Sequence, residues 1–198
     1  MNLLFEQPPH TVKVCGEDYP INWDFATSVQ FEVMMQDDSL EDEEKLIRAF
    51  SLYYPEIPPD PAEALEQLLW FYRGGDEPDE TGQSAAQGQQ GPVYSFSFDH
   101  EYIYAAFMDQ YGIDLQTVNL HWWCFRALFK GLREDNQISK IIGYRSVKIT
   151  GNMSDEQRSF YRSMKKLYQI PQSKLLKKRA SALEEVLLGS GNLSDLSE

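Results

Sequence analysis

Cysteine, histidine and long hydrophobic runs are all scarce in this chain of 198 residues. Its two cysteines, Cys15 and Cys124, are too few for a disulfide framework, so we expect a reducing compartment, with a single bridge between them as the alternative. No run of about 18 apolar residues occurs, so no membrane-spanning helix is expected. The start, MNLLFEQPPH, lacks the basic and apolar regions of a secretory signal peptide. The sequence therefore predicts a cytoplasmic protein that folds without disulfides.

The motifs of common enzyme chemistry are missing as well. No GxSxG, P-loop or GxGxxG pattern occurs. His121 and Cys124 have a helical spacing that suits two zinc ligands, but no CxxC or HxxxH motif supplies two more. The acidic cluster at residues 37–44 does not follow the order of an EF-hand loop and favours a solvated helix start. We predict no catalytic residue, no metal and no cofactor, and a protein that is not an enzyme.

Local patterns predict a mainly α fold with one small β-hairpin near the N-terminus. The hairpin is predicted in TVKVCGEDYPINWDF, where apolar residues alternate on either side of a glycine. DFATSVQFEVMMQ has Phe25, Val29 and Val33 at helical spacing, although its β-branched residues leave a strand open. Two more helices are predicted before residue 74, the first with Ser39 as its N-cap and the second with Pro61 in its first turn.

Five further helices are predicted after residue 92. The first is capped by Asp99 and ends at Gly112, and the second contains HWWCFRALFKGL. NQISKIIGYRSV follows, and then a helix with Ser154 and Gln157 in a capping box. SKLLKKRASALEEVLLGSG is the last helix predicted.

A segment without large apolar residues separates the two groups of helices. GGDEPDETGQSAAQGQQGP, residues 74–92, consists mostly of Gly, Gln, Pro and acidic residues, which cannot bury enough surface to fold. We therefore predict two helical modules joined by a flexible linker. The predicted parts are a module at 1–73, the linker at 74–92, a second module at 93–188 and a loose tail at 189–198.

Charge is distributed unevenly between the two predicted modules. Residues 1–92 hold 4 Lys/Arg and 19 Asp/Glu, a net charge of −15, whereas residues 121–179 hold 14 and 4, a net charge of +10. Such asymmetry carries information about partners rather than about the fold. The basic segment raises nucleic-acid binding as an alternative, but the acidic half would repel phosphate and argues against it.

The run HWWCFRALFKGL combines a helical core pattern with one basic stripe. On a helix its apolar residues cover most of the circumference, which predicts a central core helix. Arg126, Lys130 and Arg133 fall on one narrow stripe, with Trp122 at its edge. Because Trp and Arg are frequent at interface hot spots, we predict that Trp122 stays partly exposed and that these four residues contact a partner. Stacking of the aromatic rings on nucleotides is the weaker alternative.

Three stretches resemble the bacteriophage gp-fifteen protein family of siphophages and of prophages in Gram-positive bacteria. They are YSFSFDHEYIYAAFMDQYGIDLQTVNLHWWCFRALFKGLREDNQISKIIGYRSVKI, SDEQRSFYRSMKKLYQIP and the upstream VKVCGEDYPINWDF. The string from YIYAAF through QYGIDL to LHWW is long and particular. The resemblance covers roughly residues 11–170 and carries over no functional residue.

The resemblance implies a gene placed among the tail-morphogenesis genes, close to the tape-measure gene. That is the position of the tail assembly chaperones, which keep the tape-measure protein dissolved and recruit the major tail protein. The function predicted is therefore a non-enzymatic chaperone of phage tail proteins in the cytoplasm of the host bacterium, with the tape-measure and major tail proteins as partners. The alternative is a structural virion subunit of the tail or connector. No oligomeric state is predicted.

Overall fold

Seven α-helices and one two-stranded sheet make up residues 2–76 and 92–171, which the computed structural model describes. The elements are β1 (Thr11–Val14), β2 (Glu17–Pro20), α1 (Phe25–Met35), α2 (Asp42–Tyr53), α3 (Pro61–Tyr72), α4 (His100–Tyr111), α5 (Trp122–Lys130), α6 (Gln137–Ser146) and α7 (Asp155–Leu167). The predicted class, mainly α with a small N-terminal hairpin, is confirmed. None of these seven helices is long and apolar enough to cross a bilayer.

Two predicted segments fall on parts of the chain that the structure leaves undescribed. Residues 77–91 hold most of the predicted linker, and residues 172–198 hold the predicted last helix and the tail. Both lie outside the described residues.

The hairpin turns at two residues with positive φ. Cys15 and Gly16 have φ of 53° and 80°, the combination that a tight two-residue hairpin turn needs to match the twist of its strands. Val12 and Val14 on β1 are buried, and the Cys15 N–H donates to Glu63 Oε2 of α3 at 2.8 Å. The hairpin is therefore fixed against α3 on its apolar side.

Most of the predicted helix ends are confirmed. Ser154 and Gln157 form the predicted capping box at the start of α7. Asp60 accepts hydrogen bonds from the first backbone N–H groups of α3, and Pro61 occupies its first position. Gly112 ends α4 in the left-handed conformation, with φ of 65°. These signals are local, so a single stretch of sequence is enough to reveal them.

Two predicted caps are wrong. The Ser39 N–H and hydroxyl both donate to Asp37 Oδ1, at 2.9 and 2.6 Å, so Ser39 closes a turn and α2 begins three residues later. Asp99 stands at the start of α4, but its side chain makes no capping hydrogen bond there. Its carboxylate instead pairs with Arg145 of α6, which is 46 residues away in the sequence.

Helices from both sides of residues 77–91 share one hydrophobic core. The loop before α1 and the loop before α5 run antiparallel through an isolated bridge between Asp24 and His121. The Phe25 N–H donates to Leu120 O, and the Trp122 N–H donates to the carbonyl of Trp23, both at 2.9 Å. The two predicted modules are thus in direct contact, while their division into separate domains stays a prediction.

A buried ion pair between Asp99 and Arg145 holds the segment before α4 in place. Arg145 Nη1 and Nη2 donate to the two oxygens of Asp99 at 2.6 and 2.9 Å, and both side chains are almost fully buried. Arg145 also donates to the carbonyls of Val93 and Tyr168. Asp99 Oδ2 also accepts a hydrogen bond from the Ser95 N–H, at 2.8 Å. A single guanidinium therefore joins the segment before α4, α6 and the end of α7.

We expect Arg145→Met to destabilise the protein by about 3–5 kcal/mol, because it leaves the Asp99 carboxylate buried without its counter-charge. The matched control is Arg48→Met, which removes the exposed Arg48–Glu44 pair and should cost less than about 1 kcal/mol. Urea unfolding of the two variants gives both values. Equal losses would show that the Asp99–Arg145 pair contributes no more than a surface pair.

Candidate functional site

Helix α1 carries a partly buried apolar stripe, of which Phe25 and Val29 pack at the edge of the core. Phe25, Val29 and Val33 follow one another every four residues and are only partly buried, with Val33 37% exposed. At about 100° per residue this stripe lies opposite the buried side of the helix. The buried side consists of Thr27, Ser28, Phe31 and Met34. Apolar residues are therefore left at the surface of a helix whose core side includes two small polar residues.

The first half of this stripe lines an open cavity of about 480 Å³. Phe25 and Phe125 line it with their rings stacked at 5.0 Å, and behind them the buried ring of Phe107 lies 4.9 Å from Phe125, nearly parallel to it. The start of α4 and residues 115–116 form the other walls. The lining residues are Phe25, Val29, Phe96, His100, Glu101, Ile103, Tyr104, Leu115, Gln116 and Phe125.

The second half of the stripe lines a neighbouring cavity of about 590 Å³ between α1 and α2. Val29 lines both cavities, so the two follow each other along one side of α1. The lining residues of the second cavity are Val29, Gln30, Val33, Met34, Asp37, Leu40, Arg48, Ser51 and Leu52. We call the two cavities together the α1 groove.

Exposed polar side chains are among the residues that line the α1 groove. His100, Glu101 and Gln116 lie at the α4 end, and Arg48 lies at the α2 end. The Tyr104 hydroxyl donates to Asp114 Oδ1 at 3.0 Å, and this hydrogen bond raises the pKa of Tyr104. An apolar floor with polar edges can bury the apolar side of a ligand while its polar side stays in water.

The tryptophan pair of α5 is core, and the prediction that Trp122 is partly exposed is wrong. Trp122 and Trp123 are 4% and 5% exposed. Their indole Nε1–H groups donate to Tyr72 O and Phe71 O, each at 2.7 Å. Both carbonyls belong to the last turn of α3, where Tyr72 O has no backbone donor and Phe71 O accepts also from the Gly74 N–H at 2.9 Å, and a buried indole needs an acceptor. Each indole N–H thus has a carbonyl acceptor at the end of α3.

Two glycines allow α5 to approach the end of α3 this closely. Gly74 and Gly75 have φ of 83° and 80°, and a Cβ on Gly75 would lie 2.9 Å from the Trp123 ring. Gly74 was predicted as the end of the helix, and the structure confirms it. Gly75 leaves room for the Trp123 ring, and the local sequence does not reveal this contact.

The three basic residues of the predicted contact surface have different environments. Arg126 is half-buried and donates to Arg73 O, so it too binds the end of α3. Lys130 is exposed, and Arg133 is exposed and pairs with Asp109 at 2.8 Å. Their role as partner contacts stays a prediction. Buried Trp122 offers too little surface in this conformation to contribute to such a contact.

His121 serves as the N-cap of α5. Its Nδ1 accepts from the Trp123 N–H at 3.0 Å, so the neutral ring carries its proton on Nε2, which lies 3.0 Å from Pro9 O. Burial lowers the pKa of His121, and His10, whose ring lies 5.7 Å away, lowers it further. Because both nitrogens are engaged, neither is free to bind a metal together with Cys124, the spacing noted in the sequence.

One further group of ligand-type side chains was not singled out from the sequence. The Cys15 thiol and the carboxylates of Asp60 and Glu63 lie within 4.8 Å of one another, at an exposed position. Asp60 caps α3, and Glu63 accepts from the Cys15 N–H, so backbone hydrogen bonds account for both carboxylates without an ion. The group joins positions far apart in the sequence, and no local motif could have revealed it.

The chain belongs to the bacteriophage Gp15 protein family, whose model matches residues 4–170. The match covers every helix and strand described above and confirms the resemblance identified in the sequence. Membership implies a bacteriophage protein. No curated protein and no solved structure matches the chain.

We expect Trp122→Ala and Trp123→Ala each to destabilise the protein by about 3–5 kcal/mol, because each removes a large buried side chain. Trp122→Ala also leaves Tyr72 O without its donor, whereas Phe71 O keeps the Gly74 N–H donor at 2.9 Å in Trp123→Ala. Leu4→Ala, at a fully exposed position, should leave the free energy of unfolding nearly unchanged. Urea unfolding measures all three. A Trp122 variant as stable as the Leu4 variant would contradict the burial of Trp122.

Stability should fall in mild acid, because the pKa of folded His121 lies below that of the unfolded chain. The contribution of neutral His121 is complete above the unfolded pKa of about 6.5 and is lost as the pH falls below it toward the folded value. His121→Asn keeps a capping side chain that does not ionise, so its free energy of unfolding should depend less on pH in this range. An unchanged pH dependence in this variant would contradict the assignment to His121.

Proposed function

We propose that the protein is a tail assembly chaperone that holds an amphipathic helix of a phage tail protein, foremost the tape-measure protein, in the α1 groove. The observation that carries the proposal is the stripe of Phe25, Val29 and Val33, which is only partly buried and lines the groove. Membership in a bacteriophage protein family supplies the setting, since tail assembly is one task for which such a protein would need a binding groove.

The groove has the features by which proteins accept amphipathic helices. Such helices place side chains at positions i, i+3, i+4 and i+7 into an apolar channel with a polar rim. The stripe from Phe25 to Val33 spans about 12 Å along α1, or roughly two turns of a docked helix, at 1.5 Å per residue. The edges carry His100, Glu101 and Arg48, which can pair with the polar side of the ligand.

The charge of the chain suits the task of keeping an apolar partner dissolved. A tape-measure protein is expected to be long, helical and rich in apolar stretches, which associate with one another when they are exposed. A complex with the present chain would gain its net charge of −13, and a charge far from zero opposes aggregation. The protein would act without catalysis, in the cytoplasm of the host bacterium.

Co-expression with the tape-measure protein encoded beside its gene tests this proposal. Wild-type protein should raise the soluble yield of the tape-measure protein, and Val29→Asp and Val33→Asp should lower that gain, because a carboxylate cannot be buried against an apolar ligand. The matched control is Ile57→Asp, since Ile57 is exposed and apolar but lines neither cavity. Circular dichroism confirms that all variants are folded. Equal yields with the groove and control variants would contradict the proposal.

Purified virions distinguish a chaperone from the alternative, a structural subunit of the tail or connector. A chaperone is displaced when the tail tube assembles around the tape measure, so we expect mass spectrometry to find the protein in infected cells and not in finished particles. Recovery from particles at a fixed copy number would overturn the chaperone proposal and support the structural subunit.

A further inference from the structure

Helix α4 exposes a partly apolar face on the side that points away from the core. Its buried residues are Ile103, Ala106 and Phe107. Tyr102, Ala105 and Met108 are exposed, Tyr102 at 38% and Met108 at 39%. At about 100° per residue, these three and the exposed Glu101 and Asp109 lie within one arc of about 120°. We call Glu101, Tyr102, Ala105, Met108 and Asp109 the α4 face.

The charges of the α4 face differ between its two ends. Glu101 is exposed in the first turn of α4, next to the turn that carries Phe98, which is 53% exposed. Asp109 is exposed in the last turn, where it pairs with Arg133 at 2.8 Å. The start of the face is therefore acidic, whereas a cation stands beside its end.

The described chain leaves α7 beside the start of this face. Arg145 Nε donates to Tyr168 O at 2.7 Å, and its two Nη groups donate to Asp99, the residue before α4. One guanidinium therefore holds Tyr168 and Asp99 close together. The described residues end three positions after Tyr168, at the exposed Pro171. Residues 172–198 thus begin close to the first turn of α4.

The sequence that follows has the pattern of an amphipathic helix. In SKLLKKRASALEEVLL, residues 173–188, an apolar stripe recurs at intervals of four, three and four residues. The stripe consists of Leu176, Ala180, Leu183 and Leu187. Lys177 flanks the first half of the stripe and Glu184 flanks the second half. On a helix, the stripe needs an apolar surface to cover it.

We propose that residues 173–188 form a helix that docks lengthwise on the α4 face of the same chain. From Leu176 to Leu187 the stripe would span about 17 Å, close to the length of about 18 Å that α4 reaches with its 12 residues. Because the segment begins beside the first turn of α4, it runs parallel to α4. Ala180 then lies level with Ala105, and two small residues allow the helices to approach closely.

The charges fit this direction. Lys177 comes level with Glu101, and Glu184 comes level with Asp109 and its partner Arg133. Opposite charges therefore meet at both ends, whereas the reverse direction would place Glu184 beside Glu101. Such complementarity selects one orientation of a docked helix.

The α4 face stands apart from the proposed chaperone function. Among its residues, only Glu101 also lines the α1 groove. A helix on the α4 face would leave the groove open to its ligand, so either proposal can fail without the other.

Disulfide trapping in the full chain tests the contact, in a background with Cys15→Ser and Cys124→Ser. Ala105→Cys combined with Ala180→Cys should form an intrachain disulfide in a glutathione buffer about tenfold faster than a control pair, because docking raises the effective concentration of the thiols. The matched control is Ala62→Cys with Ala180→Cys, since Ala62 is an exposed alanine at the start of α3. Val33→Cys with Ala180→Cys tests the α1 groove as the rival docking surface.

Amide hydrogen exchange measures the same contact without cysteines. A docked helix protects its amides, and the protection factor reports the equilibrium between the docked and the free segment. Leu183→Asp should lower the protection of residues 176–187 about tenfold or more, because a carboxylate replaces an apolar anchor. Leu188→Asp is the matched control, since Leu188 lies off the stripe and should keep the protection of wild type. Ala105→Glu, on the α4 face, should act as Leu183→Asp does.

Four results would overturn the proposal. Equal trapping of the Ala105 and Ala62 pairs would exclude docking on the α4 face. Faster trapping of the Val33 pair would place the segment in the α1 groove instead. Disulfides that form mainly between two chains would show a contact between copies. Protection that survives Leu183→Asp or Ala105→Glu, in variants whose thermal unfolding shows that they are folded, would assign the contact to different residues.

Discussion

Two indole N–H groups and the carbonyls at the end of α3 make the contact on which the rest of the structure depends. Trp122 and Trp123 donate to Tyr72 O and Phe71 O, and the Arg126 guanidinium reaches the next carbonyl in the chain. A helix end buried under a neighbouring helix would otherwise leave carbonyls without donors. The start of α5 thus acts as the C-terminal cap of α3, across residues 77–91.

The position of the groove follows from this contact. With α5 held against α3, its Phe125 side chain stacks between Phe25 of α1 and Phe107 of α4. The bridge from Asp24 to His121 fixes the start of α1 beside the start of α5. One side of α1 is then buried in the core, and the stripe from Phe25 to Val33 stays only partly buried, between α4 and α2.

The sequence predicts those features that local residues determine. The hairpin, the seven predicted helices within the described residues and the capping box at Ser154 depend on neighbours within a few positions, and these are confirmed. Trp122 was predicted at the surface because the carbonyl that accepts from its indole N–H, Tyr72 O, is 50 residues away in the sequence. Asp99 was predicted to cap α4 because its ion-pair partner, Arg145, is also distant in the sequence, and no local pattern reveals the pair. The α1 groove was missed for a related reason: the spacing of Phe25, Val29 and Val33 predicts a helix but does not tell which side meets the core.

The central claim is that the α1 groove holds a segment of the tape-measure protein. Its most direct test is site-specific photo-crosslinking, with a photoreactive side chain placed at position 33 in the groove or at position 57 outside it, in cells that make both proteins. We predict that the tape-measure protein is crosslinked from position 33 and not from position 57. Equal crosslinking from both positions, or none from position 33 while the two proteins purify together, would contradict the claim.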